Sequence, residues 1–255
     1  MLEKMSDFFE ARLDGYDEHM MTNIESANEF YPFTAKQLPT SESCQILDLG
    51  CGTGLELQEY YAFNPTARVT GIDLSQGMLS ELKRKFVGKD ITLIHGSYFD
   101  VPLGKNVFDA AVSVESLHHF EKEEKVALYA KLHTALKNGG YFILTDYFSL
   151  SDEEEQMHRR NLMSLKEEQG IADNEFYHYD TPLTVKHETE ALAQAGFSSI
   201  EVLNNWGATY TIKSNDNQGV YSAKQKLNDT PQIERNGYKV NDLYFAAKNK
   251  KVVSN

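Results

Sequence analysis

Two groups of residues have types and spacing suited to chemistry. The first is Asp48-Leu49-Gly50-Cys51-Gly52-Thr53-Gly54, where an acid and alternate glycines follow the apolar pair Ile46-Leu47. Lacking a Cβ, Gly50 and Gly52 let backbone come close to a ligand. Asp73 closes a second apolar run, Val69-Thr70-Gly71-Ile72, and its carboxylate can accept from both hydroxyls of a ribose. A glycine turn with a downstream acid is the logic of nucleoside-cofactor binding in open parallel sheets. The second group is Glu115, His118 and His119, which follow the apolar run 109–114, with Asp146 and Tyr147 after a later one. Such side chains can take a proton from a hydroxyl acceptor, a contribution of about 10²- to 10⁴-fold. The alternative for the histidines is capping or packing. For Glu115 it is a structural or cofactor contact.

The glycine spacing narrows the cofactor. A dinucleotide turn needs Gly-x-Gly-x-x-Gly to close a helix N-terminus on pyrophosphate. Here the glycines stand at 50, 52 and 54, and position 55 is Leu. No Gly-Lys-Ser/Thr follows, which excludes a P-loop. Cys-x-x-Cys and His-Glu-x-x-His spacings are absent, so no metal is expected.

Elements that would position these groups alternate along the chain. Strands are expected near 44–49, 68–73, 91–94, 109–114 and 141–145. Helices are expected near 53–63, 75–86 with Ser75 as N-cap, and 122–137 with Asn138-Gly139-Gly140 as the C-terminal stop. This βα alternation argues for a doubly wound, mostly parallel sheet with helices on both faces. Residues 1–40 read as a helical segment that could fold over the cofactor or pack on the sheet. Tyr16, Met20, Met21, Ile24 and Phe30 form its apolar side, and Pro32 and Pro39 punctuate the approach to the first strand. The stretch 148–180 breaks the rhythm: helical from 152 to 169, then aromatic through Phe176, Tyr177, His178 and Tyr179. It is expected to cap the crevice and, with Tyr147, Phe148, Met157 and Met163, to wall an acceptor pocket. A helix at 184–196 precedes a hairpin, 198–204 and 207–213, through Trp206-Gly207. Residues 216–255 form an extension, whose run 243–247 is the competing choice for the last strand.

The 255 residues allow one α/β domain, 41–215, with these additions. A net charge of −13 repels phosphates and anionic lipids, so nucleic acid and membrane are disfavoured and a small-molecule partner is expected. The two cysteines, one inside the glycine turn, fit a reducing cytoplasm. No run approaches the roughly 18 apolar residues of a membrane span.

The motif Asp-Leu-Gly-Cys-Gly-Thr-Gly with Asp73 resembles the class I S-adenosylmethionine-dependent methyltransferases, which are Rossmann-like. The likeness extends through Gly96-Ser97-Tyr98-Phe99-Asp100-Val101-Pro102, Phe108-Asp109, Leu117-His118-His119-Phe120 and Leu136-Lys137-Asn138-Gly139-Gly140. It implies a seven-stranded sheet with antiparallel strands at the C-terminal end. It also implies a cofactor set of Asp48, Gly50, Cys51, Gly52, Asp73, Leu74, Met78, Ser97, Tyr98 and Val114. Ser97 stands where relatives carry an Asp that holds the adenine amino group. The implied reaction moves a methyl group from S-adenosylmethionine to a small-molecule acceptor, leaving S-adenosylhomocysteine, with His118, His119 and Glu115 as candidate catalytic residues. Aminopropyl transfer, a nicotinamide oxidoreductase, a non-catalytic binding module and a homodimer remain alternatives at this point.

Overall fold

Near-continuous apolar runs suit strands covered on both faces, and alternate residues of one strand must then serve opposite sides. The computed structural model, which describes residues 1–171 and 176–216, has this arrangement. Seven strands form one sheet: β1 (Gln45–Leu49), β2 (Arg68–Asp73), β3 (Asp90–His95), β4 (Phe108–Val114), β5 (Leu136–Tyr147), β6 (Ser199–Trp206) and β7 (Thr209–Asn215). Their order is β3-β2-β1-β4-β5-β7-β6. Pairing is parallel from β3 to β5, and β7 runs antiparallel to both β5 and β6. On one side of the sheet Leu47, Ala111, Phe142 and Leu144 enter one core. On the other, Ile46, Ala110, Val112 and Ile143 enter a second.

Helices α4 (Leu55–Phe63), α5 (Gln76–Lys85), α6 (Lys122–Ala135) and α8 (Val185–Gln194) link successive strands. Their starts follow local chemistry. Ser75 accepts from the Met78 N–H at 3.1 Å, and Thr184 from His187 at 3.2 Å. Glu121 and Glu124 form a reciprocal capping box on α6. The order of strand addition reverses between β1 and β4, so the crevice of a doubly wound sheet opens above their carboxyl ends. Glu115 and the short turn Leu117–His119 sit there, directly after β4.

Several expected boundaries move. Asn138-Gly139-Gly140 does not stop α6. That helix ends at Ala135, because Leu136 is already extended and paired with Phe108. Pairing resumes at Ala110–Tyr141, leaving 137–140 as an irregular piece with Gly139 at φ +82. Pro32 does not end a helix either; it lies inside α3 (Ala27–Ala35), held by buried Phe30, Tyr31, Thr34 and Ala35. The hairpin forms as expected, with Gly207 at φ +56 in its turn. The competing last strand at 243–247 lies outside the described residues.

Two further helices precede α3: α1 (Met5–Ala11) and α2 (Tyr16–Asn23). Contacts remote in sequence hold this segment. Met5 N–H donates to the Phe176 carbonyl (3.1 Å), and His178 N–H to that of Glu3 (3.0 Å). The Glu10 carboxylate accepts from Ser75 Oγ (2.7 Å) and Gly77 N–H (2.9 Å) at the start of α5. In the 148–180 stretch, α7 (Asp152–Gln169) begins at a Ser151 cap and ends at Gly170, φ +63. Among the described residues, no helix is long and apolar enough to cross a membrane.

Candidate active site

Backbone bonds shape the glycine turn. Gly50 and Cys51 both donate N–H to the Ile72 carbonyl, at 2.9 and 3.2 Å, which ties the turn to the end of β2. Asp73 then receives the Gly52 N–H on Oδ2 (2.9 Å) and the Ser75 N–H on Oδ1 (2.8 Å). Burial pushes its carboxyl up, and these two donors oppose the rise. A Cβ on Gly50 (φ +73) would stand 2.0 Å from Ser116 Oγ. On Gly52 (φ +47) it would meet nothing within 4 Å. Gly52 thus faces free space, whereas Gly50 is needed for internal packing.

That space is a small cavity bounded by Gly50, Gly52, Asp73, Leu74, Met78, Tyr98 and Val114. Met5, Phe9 and Tyr16 of the N-terminal segment complete its wall. Three of the expected cofactor residues stand elsewhere. Cys51 turns its sulfur to Gly71, where an added Cβ would lie 2.7 Å away. Ser97 Oγ accepts from Phe99 N–H at 3.2 Å and braces its own turn. Asp48 is fully buried beneath the glycine turn with neither oxygen hydrogen-bonded. Burial and the neighbouring Glu56 charge push its carboxyl well above the usual range, and burial raises Glu56 as well. The Lys85 charge opposes the rise at Glu56.

The second group gathers as the spacing suggested. Asp146, at the end of β5, accepts from Leu117 N–H (2.8 Å) and from His118 Nδ1 (2.5 Å). His119 Nδ1 lies 3.1 Å from an Asp180 oxygen, and His118 Nε2 lies 3.6 Å from it. Burial disfavours a charged His118, but the Asp146 carboxylate, its hydrogen bond and Asp180 outweigh this and push the imidazole up to about 9. Burial and the His118 charge push His119 down. Asp180 resists burial through its His119 bond and the nearby imidazoles, and stays well below the usual carboxylate range. Glu115 takes φ +50, a left-handed backbone rare outside glycine. Burial and Asp146 push its carboxyl up to about 8; its bond from Thr209 Oγ1 is long, 3.5 Å.

These shifts set a pH dependence of stability. Folded His118 keeps a proton between about pH 6.5 and 9 that the unfolded chain has lost. Folded Glu115 keeps one between about 4.5 and 8. In both windows the folded state binds more protons, so stability falls as pH rises. Asp146, His118 and Asp180 are the charged groups facing Glu115; Asp146, Asp180 and Glu115 face His118, and the charge of His118 depresses His119. Urea unfolding from pH 7 to 9.5, above the window in which the lowered His119 and His178 oppose it, should show this decline, and Glu115→Gln should flatten its lower part. A stability that climbs with pH across that range would refute the assignment.

A larger cavity of 810 Å³ adjoins the first. Both are bounded by Phe9, Tyr16, Glu115 and His119. The expected cap contributes Tyr147, His178 and Asp180. Met157 and Met163 are 44% and 60% exposed, Phe148 is buried against Tyr210, and Phe176 stacks on Phe99. In their place α1, α2 and the β6–β7 hairpin supply Phe8, Arg12, Met20, Trp206 and Thr209. Asp180 escaped the sequence reading; its one signal is a lone acid closing the aromatic run 176–179. Although metal-ligand spacings are missing, folding brings ligand atoms of His118, His119 and Asp180 within 4.8 Å of one another, and likewise those of Glu115, His118 and Asp146.

Comparison with known proteins bears on the domain and its fold. A family model described as a methyltransferase domain matches residues 46–140. A carboxy-S-adenosyl-L-methionine synthase from Wolinella succinogenes is 29% identical over 72% of this chain and 81% of its own length. A sterol 24-C-methyltransferase from Gibberella zeae is 25% identical over 65% of the chain; the chain spans 42% of that protein. Among solved structures, human N-acetylserotonin methyltransferase in complex with S-adenosylmethionine superposes with a TM-score of 0.58 and 17% identity. That match covers 83% of this chain and 56% of the other.

Proposed function

Because the chain belongs to the class I S-adenosylmethionine-dependent methyltransferases, we propose that it methylates a small molecule held in the 810 Å³ cavity. The observation that carries this is the junction of the two cavities at Glu115 and His119, with one on the glycine turn and the other large enough for an acceptor.

The cofactor cavity suits a nucleoside without phosphates. No Lys or Arg lines it among the described residues, so a pyrophosphate would meet Asp73 and Glu115 uncompensated. A ligand with a sulfonium and an ammonium suits the same carboxylates and the buried Asp48–Glu56 pair below. Asp73 would exchange its two backbone donors for ribose hydroxyls, and Leu74, Met78 and Tyr98 would enclose the base. When bound, S-adenosylmethionine supplies an activated methyl group. The chain then supplies alignment, with reacting atoms roughly 3 Å apart. Asp146 fixes the His118 ring by holding Nδ1, which leaves Nε2 toward Asp180 and the cavity. His119 is the neutral imidazole of the pair, the form able to accept a proton.

Met5 and Phe9 of α1 line the cofactor cavity, which supports α1 as a lid that withdraws to admit the ligand. The Glu10 contacts with Ser75 and Gly77 are its latch.

The test is incubation of the full chain with methyl-labelled S-adenosylmethionine and pooled small metabolites, alongside calorimetry with S-adenosylhomocysteine and NAD. Labelled product and micromolar S-adenosylhomocysteine binding are expected. Binding of NAD without the sulfur nucleosides would overturn the reading, and transfer of an aminopropyl group in place of the methyl would reassign the reaction.

A further inference from the structure

The wall of the 810 Å³ cavity has an unequal charge inventory. Glu115, Asp180, Asp14 and Glu25 place carboxyl groups on it. Its basic side chains are Arg12, His19, His118, His119 and His178, and each already contacts another side chain. Arg12 donates to both Glu3 oxygens, at 2.9 and 3.3 Å, and lies 3.7 Å over the Phe8 ring. His118 holds Asp146. An anionic acceptor would therefore find no uncommitted cation among the described wall residues. A neutral apolar acceptor would strip water from the Glu115 carboxyl group and offer it no partner, and burying an unpartnered polar group is costly.

A second feature singles out Glu115 from this acid-rich wall. A non-glycine residue at φ +50 carries a standing backbone cost of order 1–3 kcal/mol. What that backbone achieves is placement of a carboxyl group at the junction of the two cavities, bounded by both. The group is poorly satisfied there, with only the long 3.5 Å contact from Thr209 among the described residues. The aromatic faces of Phe9, Tyr147 and Trp206 stand on the same wall. Carboxylates beside aromatic faces form the usual setting for an organic ammonium.

We propose that the acceptor is an amine, bound as its ammonium with the charged nitrogen on Glu115 at the cavity junction and its body against the aromatic wall. The proposal rests on the methyltransferase reading above. Glu115 first pairs with the ammonium, and the cation in turn favours the carboxylate form of Glu115. The ammonium then passes one proton to the Glu115 carboxylate. The freed nitrogen lone pair forms the new N–C bond as the methyl–sulfur bond breaks, its electron pair returning to sulfur. Ammonium, carboxylate and sulfonium become methylammonium, carboxylic acid and thioether, with charge conserved. Proton release from Glu115 to water resets the site.

Matched probes test the head group. The full chain, preloaded with S-adenosylhomocysteine, is titrated at pH 7.5 with 2-phenylethylamine, 2-phenylethanol and 3-phenylpropionate. A second matched set carries an indole ring in place of the phenyl. The amine of each set should bind at least tenfold more tightly than its alcohol or carboxylate. Glu115→Gln should remove that preference while leaving the alcohol unchanged. Asp180→Asn, which does not border the cofactor cavity, should weaken the amine alone and gives a second measure if Glu115→Gln disturbs the turn. Equal or tighter binding of alcohol or carboxylate, a preference that survives both substitutions, or silence from every probe would overturn the amine assignment. Failure of S-adenosylhomocysteine to bind in the preloading step would instead count against the methyltransferase reading itself.

Discussion

Gly52→Val should abolish measurable S-adenosylmethionine binding and leave a folded protein. A Cβ at this position meets no protein atom within 4 Å, so the new side chain occupies the space over the turn and nothing else. Cofactor affinity should fall at least ~100-fold, since backbone can no longer approach the ligand. The stability loss should stay near the ~1–2 kcal/mol expected for an L side chain at a left-handed φ of +47. Calorimetry with S-adenosylhomocysteine and urea unfolding of the same preparation separate the two effects. Gly50→Ala should lose stability as well as binding, because its Cβ would lie 2.0 Å from Ser116 Oγ and must displace the turn. Wild-type affinity in Gly52→Val would move the cofactor away from this turn.

Lys125→Ala should be the most destabilising single change outside the site. Lys125 Nζ lies 2.6 Å from Glu188 Oε2, and the two side chains are 2% and 0% exposed. The Tyr129 hydroxyl donates to the other Glu188 oxygen. The pair bridges α6 and α8 within the core on one face of the sheet. Removing Lys125 strands a buried carboxylate, which costs about 3–5 kcal/mol, or roughly 10 °C in melting temperature for a chain of this size. Replacing both partners by apolar residues, Lys125→Met with Glu188→Leu, should recover most of the loss, because no charge is then left without a partner. Equal losses in the single and double variants would show that the site depends on shape and not on charge.

The sheet could be read from the sequence because its determinants are local. Apolar runs, the Ser75 cap and the turn at 48–54 each announce themselves within a few residues. The same holds for His118, His119 and Asp146, whose positions after β4 and at the end of β5 follow once the strands are placed. The end of α6 was misplaced because the glycines at 139–140 are a strong local signal. The helix stops earlier through pairing of Leu136 with Phe108, a contact no short window contains. Phe9, Tyr16 and Asp180 reach the site from segments far apart in the chain, by packing alone. The aromatic run 176–179 drew attention to a cap, yet much of the cavity wall comes from α1, α2 and the β6–β7 hairpin.

One roof over two rooms has a kinetic consequence. Phe9 and Tyr16 border the cofactor cavity and the acceptor cavity alike. With the N-terminal segment acting as the lid proposed above, its displacement would uncover both cavities at once, and exchange of either ligand would be tied to the breaking of a few short-range bonds at Glu10, Met5 and His178.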